Sequence, residues 1–394
     1  MNKVFILLLS LVFFSCSDKA PVSIDEASLD PALDNDGFLS EPAMEPDNLI
    51  IIAVGDNLYH DVMIRAGEEG DYESAYEEIR DLVQYADIAF INQETLLGGS
   101  EFGFSGYPLF NSPQSLGRAI SNIGFNVISH ANNHAMDKGE RAVFATLDFW
   151  DTIPEAAVLG IHRSGEERNN PVIMEVNNFR VGFLAYTHSL NGIPLPNDKP
   201  YLVSLINREV MAREINALRP LCDILVVSIH WGDEYQHNHN RTQEGLAVFL
   251  AEHQVDLVLG HHPHVLQPVE YVPRPDGRYM LCYYSLGNFI SAQSRLPTML
   301  GAMAYIKIKK IPAVNEGERD SFMYMDDGVI PLVTHYENNW TGFRVYPLYA
   351  YSEELAAMHR LNRNGMEMTM NYLRGISSGV LGFRELKQNP FEQL

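Results

Sequence analysis

Ile224-Leu225-Val226-Val227-Ser228-Ile229-His230-Trp231-Gly232-Asp233-Glu234-Tyr235 starts apolar and ends polar. The run Ile224–Ile229 lacks the alternation of a half-exposed strand, so it reads as a strand buried on both faces. Such strands belong to parallel sheets with helices over them. The amphipathic stretch Gln243–His253 downstream supplies one of those helices. On either side, apolar runs recur at Leu49–Val54, Ile88–Ile91, Val127–Ser129, Val181–Tyr186, Leu257–Leu259 and Met280–Ser285. Helical patterns lie between them at Tyr72–Tyr85, Gln114–Asn122, Glu140–Trp150 and Arg208–Leu218. The alternation predicts an α/β layered fold with a largely parallel sheet. It fades after Ile311, so residues 311–394, with Val345–Tyr349 and a helical Ser352–Tyr372, read as a C-terminal extension. No internal repeat is visible.

The residues just past each strand carry the chemistry. Leu49–Val54 leads to Gly55-Asp56, and Ile88–Ile91 to Asn92-Gln93-Glu94. Val127–Ser129 leads to His130-Ala131-Asn132-Asn133-His134, with Asp137 one turn on. Leu257–Leu259 leads to Gly260-His261-His262-Pro263-His264, and Ile224–Ile229 to His230 and Glu234. Ligands of open α/β sheets gather beyond the carboxyl ends of strands. Imidazoles with hard oxygens and no thiolate suit Zn, Mn or Fe. His262 and His264, two apart on a loop, converge on that edge while His261 points elsewhere. Asn133 offers an amide oxygen beside His134, a proton donor to a leaving group.

The chain has 394 residues, 46% of them apolar, which excludes a wholly disordered chain, and a net charge of −23. That acidity excludes a nucleic-acid backbone binder. Its three cysteines cannot build a disulfide scaffold. Residues 1–15 read as a secretory signal with an apolar run Val4–Phe14. Ser15-Cys16 resembles a lipoprotein processing site, which would make Cys16 the lipidated residue and place the protein in the bacterial envelope, periplasmic or surface-exposed. From Asp18 to Asp47 there are nine acids and one base, so residues 16–47 read as a flexible acidic tether. Cys222 and Cys282 read as inert buried thiols.

Taken in order, Gly55-Asp56, Asn92-Gln93-Glu94, Ala131–Gly139, His230–Tyr235, Gly260–His264 and Ser285-Leu286-Gly287-Asn288-Phe289 resemble the CapA family of poly-γ-glutamate capsule synthesis proteins, related to calcineurin-like metallophosphoesterases. The resemblance covers residues 48–310. It implies a four-layer αββα sandwich with a two-metal site at the strand C-terminal ends. Asp56 and His264 would hold one divalent ion, and Asn133, His230 and His262 the other, with Glu94 bridging. His134 would be the general acid or steady the phosphoryl oxygens, and Asp137 would brace it or order its own loop. The implied chemistry is in-line hydrolysis of a phosphoester or anionic polymer substrate, the cations stabilising attacking and leaving oxygens. The implied partners are capsule-synthesis membrane proteins and, through the lipid, the membrane.

Two departures stand out. Asp56-Asn57-Leu58 replaces the Asp-X-His of the phosphoesterases, and His60 reaches a metal only if its loop turns helically. Glu94 stands where they carry an Asp. The alternative is a lipoprotein accessory of polymer synthesis or export that keeps the fold and binds metal or polymer without turnover. Glu234 and Tyr235 face the substrate or cap the next helix, and Asn288 lines the pocket. His188, after Val181–Tyr186, sits on the same edge and either joins the site or is a polar loop residue; His237 and His239 read as solvated loop residues.

Overall fold

The computed structural model describes residues 47–68, 71–313 and 320–391. Residues 1–15, Cys16 and the tether as far as residue 46 lie outside them. In chain order, β1 (Asn48–Leu58) and α1 (Asp61–Glu68) precede a tight 3-10 stretch, Tyr72–Ile79, that continues into α2 (Arg80–Gln84). Then come β2 (Ile88–Gln93), α3 (Gln114–Ile123), β3 (Val127–Ser129), α4 (Gly139–Trp150) and β4 (Ala157–Leu159). The second half opens with α5 (Gly165–Asn169), β5 (Val172–Val176), β6 (Phe179–Thr187), α6 (Arg208–Leu218) and β7 (Ile224–His230). It continues with α7 (Arg241–Glu252), β8 (Leu257–His261), β9 (Val269–Pro273), β10 (Tyr279–Tyr283) and β11 (Asn288–Ser291). The end is β12 (Leu300–Ile311), β13 (Ser321–Glu337), β14 (Thr341–Pro347), α8 (Glu353–Met358) and α9 (Met370–Leu381).

The fold is mixed α/β with two sheets. The first runs β14-β13-β12-β1-β2-β3-β4, with β11 paired to β1; the second runs β5-β6-β7-β8-β10-β9. β1 to β4 are parallel, as are β6, β7, β8 and β10. Alternate residues sort the layers, because a strand sends successive side chains to opposite faces. Ile51, Ala53, Phe90 and Val127 meet Val181, Phe183, Val226 and Leu257 in one core between the sheets. Ile52, Val54, Ala89 and Ile91 instead pack under Tyr76, Leu116 and Ile120 on the outer side. Leu225, Val227 and Val258 meet Met211, Ile215 and Leu250 of α6 and α7 on the other outer side. Helix, sheet, sheet, helix is therefore the layer order over the parallel strands.

The segment read as an extension packs on the main body and lengthens its first sheet. β13 and β14 continue the first sheet antiparallel to β12. The stretch 352–372 is not one helix: His359 leaves helical geometry at ψ 133° and Gly365 has φ 76°. α8 and α9 place Ala356, Met370 and Leu373 on the inner core beside Val333. No helix of the described residues is long and apolar enough to cross a membrane.

Candidate metal centre

Gly55 decides where Asp56 points. The β1 ladder slips register there. A Cβ on Gly55 would overlap the Gly287 carbonyl oxygen, and one on Gly260 the Tyr284 carbonyl oxygen. Two bare backbones thus let the turn Ser285–Asn288 press between β1 and β8. His262 and His264 take left-handed backbone at φ 97° and 57°, uncommon for residues with a Cβ. Through them the loop after β8 turns back to the end of β1, where His262 N–H donates to Asp56 Oδ2 at 3.3 Å.

The carboxylates of Asp56 and Glu94 and the His264 ring, all buried, offer ligand atoms within 4.8 Å of one another and form a candidate metal-binding group. His264 Nδ1 lies 3.1 Å from Asp56 Oδ2 and 3.0 Å from Asn288 Oδ1. Its Nε2 faces Glu94 Oε1 at 3.9 Å, and His230 Nε2 approaches the same oxygen at 3.6 Å. Glu94 therefore lies between two sets of donors. On the His230 side, Asn133 Oδ1 is 2.8 Å from His230 Nε2, and the His262 ring centre is 4.8 Å from that of His230. His134 Nδ1 donates to Asp137 Oδ2 at 2.7 Å, and the same oxygen accepts the Phe110 N–H at 2.7 Å.

Charge in this cluster is unbalanced. Burial, then the Asp56 charge, pushes the Glu94 carboxyl well above the ordinary range. Burial also works to raise Asp56, but the His264 hydrogen bond and charge, with His261 and the Asn92 amide, hold it below that range. His264 is pulled down by burial and up by Glu94 and Asp56, reaching about 9. Burial, helped by neighbouring rings, drives His230 far down and His262 to about 3. Neutral imidazole is the form that ligates a metal. Both Glu94 oxygens are buried without a hydrogen-bond partner among the described residues. A buried carboxylate so placed is costly unless a cation meets it. The group Asp56, Glu94 and His264 therefore fits a metal cation.

The remaining predicted positions divide. Asn288 is fully buried, and its Nδ2 donates to Ser291, Gln293 and Thr298, so it holds His264 instead of lining an open pocket. Glu234 is exposed near the cluster and does not cap a helix; the α7 cap is Asn240, in a capping box with Gln243. Leu58, in the place of the missing histidine, is buried in the core. His60 turns its Nδ1 to the Leu58 carbonyl and the Ala292 amide, so it stays with the backbone. His261 stacks on Phe90 with Nδ1 3.7 Å from Asp56 Oδ1, facing the core side of the site.

Other residues also join the site. Asn92 donates to Asp56 Oδ1 at 2.8 Å, and its place in the Asn92-Gln93-Glu94 motif was the available signal. His188 sits with its ring 4.5 Å from His262, and its Nδ1 meets the His230 carbonyl. Its position at the end of β6 was the signal. Asn191 accepts from Asn133 Nδ2 at 3.2 Å, which turns the Asn133 oxygen toward His230. His237 and His239 are not free loop residues: one meets the Leu266 carbonyl, the other stacks on Tyr284.

Comparison with known proteins gives a consistent family signal. The family model described as bacterial capsule synthesis protein PGA_cap matches residues 50–293. A capsule biosynthesis protein CapA of Bacillus anthracis is 30% identical over 199 residues, 49% of this chain and 46% of that protein. A PGA biosynthesis protein CapA of Bacillus subtilis (strain 168) is 29% identical over 194 residues, 49% of this chain and 50% of that one. The chain thus spans about half the length of these curated relatives. Among solved structures, a 5'-nucleotidase precursor from Thermus thermophilus is 15% identical with a TM-score of 0.44, covering 73% of this chain and 54% of its own.

Proposed function

Since the chain belongs to the bacterial capsule synthesis family matched over residues 50–293, we propose that it is an envelope-anchored, divalent-metal-dependent hydrolase of the phosphoester type, serving synthesis of an anionic capsule polymer. The observation that carries this reading is Glu94: a buried carboxylate with no hydrogen-bond partner among the described residues, between His230 and His264. Asp56 and His264 would hold one ion, and Asn133, His230 and His262 a second, with Glu94 shared. When bound, such ions supply charge neutralisation and Lewis acidity at a phosphoryl group.

The chain's own residues do the rest. Asn92 and Asn288 fix the rotamers of Asp56 and His264 through direct hydrogen bonds. Asp137 accepts from His134 Nδ1, which leaves Nε2 as the ring's proton carrier to a leaving oxygen. Phe110 donates to Asp137 and steadies that brace. Cys16 would carry the anchoring lipid, and the acidic tether would join it to the folded body.

The test is hydrolysis of generic phosphomonoesters and phosphodiesters by protein loaded with Mn or Zn. His134→Ala should lower kcat by about 10²- to 10⁴-fold, the usual worth of a positioned acid, and His262→Ala should lower metal content. Metal-independent turnover, or full activity in both variants, overturns the reading. Tight metal binding with no turnover of any ester favours the accessory subunit.

A further inference from the structure

The metal donors have a cationic neighbour that no role above uses. Tyr235 stands at left-handed backbone, φ 64°, and its N–H donates at 2.8 Å to the carbonyl of Pro263, the residue between His262 and His264. Its ring centre lies 6.1 Å from that of His264. The guanidinium carbon of Arg295 stands over the same Tyr235 ring, 4.1 Å from its centre. The backbone of Arg295 is tied to the site by a second route. Asn288, whose Oδ1 meets His264 Nδ1 at 3.0 Å, donates to Ser291, Gln293 and the Thr298 carbonyl, so the chain from Ser291 to Thr298 wraps around it. Thr298 in turn donates its N–H at 3.1 Å and its hydroxyl at 2.8 Å to the Arg295 carbonyl. Arg295 is exposed, and its guanidinium meets no carboxylate among the described residues. Acids outnumber bases 51 to 28 in this chain, so a cation without a carboxylate of its own beside these donors is open to a ligand. An aromatic ring under a guanidinium fixes its position and spares its N–H groups, which suit an anion held by two hydrogen bonds.

We propose that Arg295, held by the Tyr235 ring, is the subsite for a second acidic group of the substrate. The substrate class is then a phosphoester that carries a further carboxylate or phosphate beyond the phosphoryl group at the metal donors, in preference to one with a neutral substituent. The assignment rests on the hydrolase reading only for the place of that phosphoryl group. One ring contact, His264 to Tyr235, and one cation contact, Tyr235 to Arg295, connect the two anion positions, a span that a short linker between two acidic groups covers. Glu234, exposed and next to Tyr235 in the chain, adds a negative charge on this side, so Arg295 is what makes the rim receptive to an anion.

Binding without turnover tests this. Calorimetric titration of Mn-loaded protein compares propylphosphonate with phosphonopropionate and propylene diphosphonate, the last two separating a carboxylate from a phosphate as the second group. Wild type should bind at least one of the doubly acidic ligands about tenfold more tightly than propylphosphonate, the worth of a charge-assisted hydrogen bond. Arg295→Ala should erase that ratio, and Tyr235→Phe should keep it because the ring remains. Equal affinities in wild type, or an undiminished ratio in Arg295→Ala, overturn the subsite. A preference for the second acid in a protein that hydrolyses no phosphoester upholds the subsite and removes only the hydrolase reading. No binding of any of these phosphonates overturns both.

Discussion

At the scale of the residue, one missing side chain governs the site as much as those present. Gly55 lies against the Gly287 carbonyl, so Gly55→Ala must push apart β1 and the turn that carries Asn288. Overpacking of this kind costs about 1–3 kcal/mol, and the urea midpoint should fall accordingly. Because Asp56 follows directly, metal affinity should fall too; an unchanged midpoint would show that the turn yields freely. The clustering was legible in the sequence, since Asp56, Glu94, Asn133, His230, His262 and His264 all come after apolar strands and lie together here. Their supports were less so. Asn288 was expected to line a pocket, but its amide faces Ser291, Gln293 and Thr298, partners made by the chain's own return. His188 had only its place just after β6 as a signal, and packing against His262 is what brings it into the cluster.

Among the elements, the two-sided strands were the most readable, because continuous apolar runs arise only where both faces are covered. Arg208–Leu218 is a helix with the predicted ends. The short edge strands β4 and β5, and the antiparallel arm β12–β14, lacked that signature. Asp326-Asp327-Gly328 and Pro331 interrupt the apolar pattern of β13, although all pair with β12. The break between α8 and α9 has a titratable cause. His359 donates Nε2–H to the Thr334 carbonyl and accepts the Leu361 N–H at Nδ1, so the neutral ring satisfies both neighbours. Burial, then the charge of His335, lowers it to about 4. The unfolded ring gains its proton first, near about pH 6.5, so this stability is complete above that value and is lost as pH falls toward about 4. Between about pH 7 and 5 the loss is about 2 kcal/mol for this one group. His359→Gln should therefore show a shallower decline of urea midpoint over that interval than wild type; parallel declines would remove His359 as the cause.

Over the whole molecule, the two sheets contribute to the site equally: Asp56, Glu94 and Asn133 from the first, His230, His262 and His264 from the second. Ions bound only by the folded state stabilise it, by about 2.7 kcal/mol at a hundredfold excess over Kd. Thermal midpoints should rise with Mn and fall with a chelator. Glu94→Gln should act in both directions, because it removes a carboxyl whose ionised form burial and Asp56 disfavour and would also remove a metal ligand. Its chelator-treated form should melt above wild type, and Mn should add little; a wild-type response to Mn would exclude Glu94 from the metal site. The layered α/β class and the strand-end edge were evident from composition and pattern, whereas the closure of one sheet over the other was not, since it depends on glycines that let backbones touch. That shared ownership has a kinetic consequence. Asp56 and His264 are separated by 208 positions along the chain yet meet at one edge, so an ion held there would join segments far apart in sequence. Release of such an ion would then be coupled to parting of the sheets, and the exchange rate of bound metal would serve as a clock for the opening of the sandwich.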